Sequence, residues 1–439
     1  MVGRRDMLKR AVQAAGLAAL PLVSAAAETR PLVRVPAVRP AVRPAVRPAA
    51  LPAAADPDYW DRVRDLYPLT RERAYLNAGG LGPAPYPVLD AVARLTAELQ
   101  RISEHGHEHI EPARVAVAAF LGASPAEIAL TRNATEGNAT IASGLDLRPG
   151  DEVVFESHAH PGGSFAWMSR QLSRGIRVRT FEPDPTSAAG NLERIAAQLT
   201  PRTRVIQVSH VTAPTGIRMP VEQIAVLARD RGLWFHIDGA QSAGMIPVDL
   251  HAIGCDSYAT CGHKWMGGPH GTGALYVRQD RLGEIMPTEV GAYSDGGDVR
   301  LPDRFSYAPT AVRYEPGTRN AALDVGLAAA AAFQTEIGTE RIAARSQHLA
   351  HYLQGQLREI PGVEILTPAD PALSAAITTL RTARVPYREL DARYHAAGLR
   401  CRIVGEQGID AVRVSTHIYT SEAECDRVAD ATRAALGQR

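Results

Sequence analysis

Asp238 and Lys264 are the side chains whose types and spacing point most directly to chemistry. Asp238 closes the run Leu233-Trp234-Phe235-His236-Ile237-Asp238, a strand pattern, and Gly239-Ala240-Gln241 follows it. Lys264 stands in Gly262-His263-Lys264-Trp265, directly after a second strand pattern at Ser257 to Cys261. In an open parallel sheet, ligands bind beyond the carboxyl ends of the strands, so both groups are expected at one crevice. The lysine is also singular, because Lys9 and Lys264 are the only lysines among 48 Lys+Arg residues. Arginine replaces lysine wherever a generic positive charge suffices, but it stays protonated, whereas a lysine amine can be deprotonated and act as a nucleophile. An aspartate and a lone lysine at one crevice suit pyridoxal 5'-phosphate. The lysine forms the Schiff base, and the carboxylate keeps the pyridine nitrogen protonated so that the ring accepts electrons.

A phosphate needs donors, and Asn133-Ala134-Thr135-Glu136-Gly137 offers them after the apolar Ile128-Ala129-Leu130. The run opens a helical stretch, where the first backbone N–H groups lack internal partners and face an anion; the Thr135 hydroxyl adds another donor. It fits neither the Walker A nor the dinucleotide fingerprint. Glu104-His105-Gly106-His107-Glu108-His109 has no accompanying cysteine and no HExxH spacing, so no metal site is expected there.

The elements that must carry these residues are strand-like runs at 152–156, 178–181, 204–209, 233–238, 257–261 and 273–277, alternating with helical patterns at 165–174, 192–199 and 221–231. That order implies an α/β fold, a mainly parallel sheet covered on both faces. An alanine-rich helix over 321–336 leads into a smaller α+β region with strands near 375–380 and 411–416. At 439 residues, 45% hydrophobic and 22% charged, the chain is an ordinary globular protein but too long for one core. The 48 basic and 47 acidic residues give no reason to expect a nucleic-acid or membrane-surface partner. The expected organisation is a leader at 1–27, a Pro/Ala/Arg-rich linker at 28–55, an N-terminal segment at 56–85, a large domain at 86–319 and a small domain at 320–439. The leader places Arg4-Arg5 before an Ala- and Leu-rich run that ends in small residues. It resembles twin-arginine export signals, is too short for a permanent anchor, and implies a periplasmic or secreted protein. The four cysteines, Cys255, Cys261, Cys401 and Cys425, contain no CxxC pair.

From Tyr75-Leu76-Asn77 to Arg413-Val414-Ser415 the sequence resembles the class V, aminotransferase-like branch of fold type I pyridoxal-phosphate enzymes. That group includes cysteine desulfurases, selenocysteine lyases and isopenicillin N epimerases. The resemblance implies a large domain with a mainly parallel sheet and a smaller C-terminal domain. It implies Lys264 as the Schiff-base lysine, Asp238 at the pyridine nitrogen, His160 stacked on the ring, and Gln241 near the ring hydroxyl. Ala134, Thr135 and His263 fall at the phosphate, with Cys261 where relatives carry a phosphate-binding serine. Arg402 and Arg413 match positions that receive the substrate carboxylate. Glu315-Pro316-Gly317-Thr318 resembles a segment that lends its threonine to the neighbouring subunit's phosphate, which implies a homodimer. Gln407 stands where desulfurases place their loop cysteine, and Ala213 where they place an asparagine, so persulfide formation is not expected. The ending Arg413-Val414-Ser415-Thr416-His417-Ile418-Tyr419 looks closer to the epimerase-like members. Aminotransferase-type chemistry on an amino acid, peptide or siderophore-like substrate is the leading expectation. A C–S or C–Se lyase, an epimerase, and a non-catalytic binding protein on the same fold are the alternatives.

Overall fold

The computed structural model describes residues 51–438. The expected leader, and the linker as far as residue 50, lie outside the described residues. Thirteen strands are numbered in chain order: β1 Ala74–Tyr75, β2 Ile128–Thr131, β3 Glu152–Glu156, β4 Arg177–Phe181, β5 Thr203–Ser209, β6 Trp234–Asp238, β7 Ser257–Cys261, β8 Gly273–Val277, β9 Val363–Ile365, β10 Ile377–Thr382, β11 Leu399–Arg400, β12 Arg402–Val404 and β13 Ala411–Ser415. Seven of them form the large sheet in the order β2-β8-β7-β6-β5-β3-β4.

The large sheet is buried on both faces because its strands alternate between two cores. Val154, Ile206, Val208, Phe235, Ile237 and Tyr258 face one side. Val153, Phe155, Val205, Trp234 and Ala259 face the other. Successive strand side chains point to opposite faces, so unbroken apolar runs are what a sheet covered on both sides requires. Strands β3 to β7 pair in parallel, and β8 runs antiparallel to both β7 and β2. The reversal has a local cause. A parallel return needs a crossover, usually helical, whereas the segment 262–272 folds back on itself through Gly262 N–H to Thr272 O at 2.8 Å and Gly268 N–H to Gly262 O at 2.8 Å. That returning segment carries Lys264.

The smaller sheet is antiparallel in the order β12-β13-β10-β9. Leu349, Leu353, Leu390, Val412, Val414, Val428 and other apolar residues of its strands and of the helices Thr339–Arg358, Tyr387–Ala396 and Glu422–Ala435 form its core. The N-terminal segment joins this region, since β1 pairs in parallel with β11 and Ser415 donates to Leu76 O at 2.8 Å. It then crosses to the large sheet. Gln241 Nε2 donates to Gly79 O at 2.7 Å, and Gly82 N–H to His263 O at 2.7 Å.

Candidate active site

Strands β6 and β7 lie side by side in parallel, with Asp238 paired to Ala259. Their carboxyl ends therefore deliver Asp238 and, three residues past Cys261, Lys264 to the same edge of the sheet. A cavity of about 400 Å³ opens there. Lys264 is half-buried in it, and its Nζ makes no hydrogen bond or ion pair with any described residue. Asp238 is buried, and each of its oxygens has a donor: Ala240 N–H reaches Oδ1 at 3.0 Å and Asn138 Nδ2 reaches Oδ2 at 3.1 Å. Two donors hold the carboxylate in a fixed plane at the edge of the cavity.

The floor of the cavity is the start of the helix Ala134–Gly144. Asn133 caps it by accepting from Glu136 N–H at 2.9 Å. The cap leaves the N–H groups of Ala134 and Thr135 without partners inside the helix, and the Thr135 hydroxyl makes no hydrogen bond among the described residues. Beside them the buried His263 Nδ1 also lacks a partner, and burial, then Lys264, push the His263 pKa down. The structure thus places several idle donors where an anion would sit.

His160 is the N-cap of the helix Pro161–Arg174, and its Nδ1 accepts from Gly162 N–H at 3.0 Å. Burial, then Lys264, lower its pKa, so the ring is neutral near pH 7 and its proton sits on Nε2. An Nε2 that already carries a proton cannot take another from a substrate. His160 is therefore suited to stacking and donating rather than to accepting a proton. Gln241 is held at both ends of its amide, by Gly79 O and by Trp265 Nε1–H at 2.8 Å. Cys261 is buried with its thiol pKa raised, and its Sγ contacts Ala240 O at 3.7 Å.

Arg413 is only 1% exposed. Its Nη1 donates to Ala213 O at 2.9 Å and its Nη2 to Asn77 Oδ1 at 3.1 Å, while Nε has no partner. No carboxylate among the described residues lies within ion-pair distance of it. Burial, then Arg402, lower its pKa to about 9, which leaves it a cation at neutral pH. Arg402 faces it across the β12–β13 pairing and differs by pairing with Glu406, although its buried Nη1 is idle. Like charges opposite one another in a sheet are unfavourable, and Glu406 offsets one of the two.

Ala134, Thr135, His160, Asp238, Gln241, Cys261, His263, Lys264, Arg402 and Arg413 all line this single cavity. Thr318 does not. It lies in a separate cavity with Leu130, Arg132 and Gly271, on a turn whose Glu315 accepts from Leu130 N–H at 2.7 Å and pairs with the buried Arg114. Asn138 and Gly79 also line the cavity, and His236 and Asn77 support it through hydrogen bonds to Asn138 and Arg413, although the motifs did not single them out. Two spacing signals pointed to Asn138 and His236. His236 precedes Asp238 by two, on the same face of β6, and Asn138 follows Ala134 by one helical turn.

The arrangement fits pyridoxal 5'-phosphate: an amine without a partner, a carboxylate ordered by two donors, and idle N–H groups at a helix start beside an unpartnered buried histidine nitrogen. The family model for aminotransferase class V matches residues 87–428, and the chain belongs to that family. The isopenicillin N epimerase of Amycolatopsis lactamdurans is 32% identical over 398 residues, 85% of this chain and 98% of that protein. The cysteine desulfurase of Thermococcus onnurineus NA1, in its apo structure, superposes with a TM-score of 0.78 at 26% identity, covering 85% of this chain and 98% of that one. A C-DES structure with glycine covalently linked to its PLP cofactor has a TM-score of 0.76 at 28% identity, over 84% of this chain and 99% of that one. The protein is thus a class V enzyme of the fold type I architecture, with pyridoxal 5'-phosphate as its cofactor.

Proposed function

We propose that the protein removes the α-proton from a substrate bearing an amino group and a carboxylate, and that the outcome is aminotransferase-type chemistry. The observation that carries this reading is Arg413, a buried guanidinium without an acidic partner among the described residues, converging on the cavity that holds Lys264 and Asp238. Bound cofactor supplies an electron sink for the pair left at the α-carbon. The Arg413 fork takes the carboxylate, and its planar donors fix the orientation of the substrate. Asp238 holds the proton on the ring nitrogen. Lys264 accepts the α-proton, because its amine has no competing partner and His160 has no vacant nitrogen facing the cavity. A proton returned to the α-carbon on the opposite face would give epimerisation. With the cofactor bound as carrier, water would take the place of the amino group to leave a keto acid, and the amino group would pass to a second keto acid, which is transfer.

Epimerisation is the second reading, favoured by isopenicillin N epimerases that match over nearly their whole length, 98% and 99%. A persulfide route has less support. All four cysteines are buried, Cys261 has a raised thiol pKa, and Gln407 occupies the loop after Arg402. The reading extends to export by the twin-arginine pathway and to a homodimer. The order of charge, apolar run and small residues before residue 28 supports the first, and the distance of Thr318 from the Lys264 cavity suits the second. Incubating the holoenzyme in deuterated water with a panel of amino acids and an amino acceptor separates the outcomes. Keto acid formation is expected. Deuterated, inverted amino acid without keto acid makes it an epimerase, and sulfide release would overturn the ranking.

A further inference from the structure

Behind Asp238 runs a chain of buried hydrogen bonds with one self-consistent direction. Trp234 Nε1–H donates to Ser257 Oγ at 2.9 Å. Ser257 Oγ meets His236 Nδ1 at 2.8 Å, and His236 Nε2 meets Asn138 Oδ1 at 2.8 Å. Asn138 Nδ2 donates to Asp238 Oδ2 at 3.1 Å and to Gly162 O at 3.2 Å. The Asp238 carboxylate only accepts, so Asn138 turns its nitrogen to Asp238 and its oxygen to His236 Nε2, which must then carry the ring proton. The neutral ring accepts at Nδ1 from the Ser257 hydroxyl, whose oxygen in turn accepts from Trp234 Nε1–H. Burial agrees, lowering the His236 pKa to about 3 and keeping the ring neutral. Asn138, His236 and Ser257 are each fully buried.

Asn138 touches both sides of the cofactor site. Through Asp238 it reaches the group at the ring nitrogen. Through Gly162 O it reaches the turn whose N–H caps His160 Nδ1. The packing is tight, since a β-carbon on Gly163 would stand 2.7 Å from Asp238 Oδ2.

We propose that Asn138 is the positioning residue of this site, oriented by the His236–Ser257–Trp234 chain so that it fixes the Asp238 carboxylate and the His160 turn relative to each other. The proposal rests on the cofactor and not on which reaction follows, so it survives any result of the substrate panel. Fixed donors on both Asp238 oxygens hold that carboxylate in one plane, which preorganises it for the ring nitrogen. The other titratable groups whose fields meet there are Glu156, His160, Tyr258 and Cys261.

The test compares wild type with Asn138→Asp, His236→Phe and Ser257→Ala. Three properties are measured: cofactor affinity by titrating the apoprotein, the pH midpoint of the visible absorbance band of the holoprotein, and thermal unfolding of the apoprotein. Asn138→Asp keeps the shape and the acceptor for His236 but replaces the donor to Asp238 with a carboxylate. It is expected to weaken cofactor binding by about tenfold or more, the scale of a lost hydrogen bond to a charged group. The midpoint should rise, because a ring nitrogen that loses its proton removes a positive charge from near Lys264. The rise should be smaller in His236→Phe and smallest in Ser257→Ala, in order of distance along the chain. A packing role alone predicts melting changes with an unmoved midpoint in His236→Phe and Ser257→Ala, which add no charge, and that result overturns the proposal. Should Asn138→Asp fail to fold, the other two decide: His236→Phe must exceed Ser257→Ala, and an unmoved midpoint in His236→Phe refutes it.

Discussion

A β-carbon placed on Gly82 would stand 1.7 Å from the carbonyl oxygen of Lys264. The two backbones meet because Gly82 N–H donates to His263 O at 2.7 Å, drawing the N-terminal segment over the loop that carries the lysine. An obstacle made of backbone cannot swing aside as a side chain can. Gly82→Ala is therefore expected to push the Lys264 loop out of place, costing about 1–3 kcal/mol of stability as overpacking does. The variant should bind cofactor weakly, with reduced visible absorbance at saturating cofactor. A variant that binds and absorbs like wild type would show that the loop tolerates displacement.

Arg413 predicts a carboxylate requirement. Losing a pair of charge-assisted hydrogen bonds, each about 1.5–3 kcal/mol, should lower kcat/KM for an amino-acid substrate by about a hundredfold or more in Arg413→Met. Arg413→Lys keeps the charge but loses the fork, so it should rescue only part of the loss. A matching amine without the carboxylate should react equally with wild type and Arg413→Met. Equal losses on both substrates would assign Arg413 to structure instead.

Glu156 predicts a pH dependence of stability. It ends β3, accepts from Ser209 N–H at 3.0 Å, and is fully buried, and burial pushes its carboxyl up to about 7. A raised folded-state pKa means that the native chain binds the proton more tightly than the unfolded one. The contribution is then fully present below about 4.5 and is lost as pH rises through about 7. The swing corresponds to about 3 kcal/mol. Glu156→Gln should remove this slope from the unfolding free energy of the cofactor-free chain between those limits. Parallel pH curves for the two proteins would place the titrating group elsewhere.

Six of the seven strands of the large sheet were legible as strand-like runs, and β2, the short Ile128–Thr131 at its edge, was not. The expected bounds of β3, β7 and β8 coincide with the structure, and those of β4, β5 and β6 differ by one residue at their starts. The direction of β8 was not written in its residues, because it follows from the tight return of segment 262–272. Lys264 and Asp238 could be picked out since reactive side chains at strand ends have few structural reasons to be there. Asn138 and His236 carried only a spacing signal, one turn after Ala134 and two residues before Asp238, which places a side chain without naming its partner. A histidine in an apolar strand and an asparagine inside a helix acquire meaning only when folding joins residues 98 positions apart. The contrast between Arg402 and Arg413 was hidden in the same way. Both are strand arginines, and only the loop that brings Glu406 back to Arg402 shows which of them has its charge uncompensated.

The Schiff-base role of Lys264 is tested by borohydride reduction of the purified holoprotein followed by peptide mass mapping. Lys264 is the only lysine among the described residues, so one cofactor-derived adduct is expected, on the peptide containing His263-Lys264-Trp265, with loss of the visible band and none in Lys264→Ala. A colourless protein that cannot be reconstituted with pyridoxal 5'-phosphate, or an adduct found on any other amine while Lys264 stays unmodified, would contradict it.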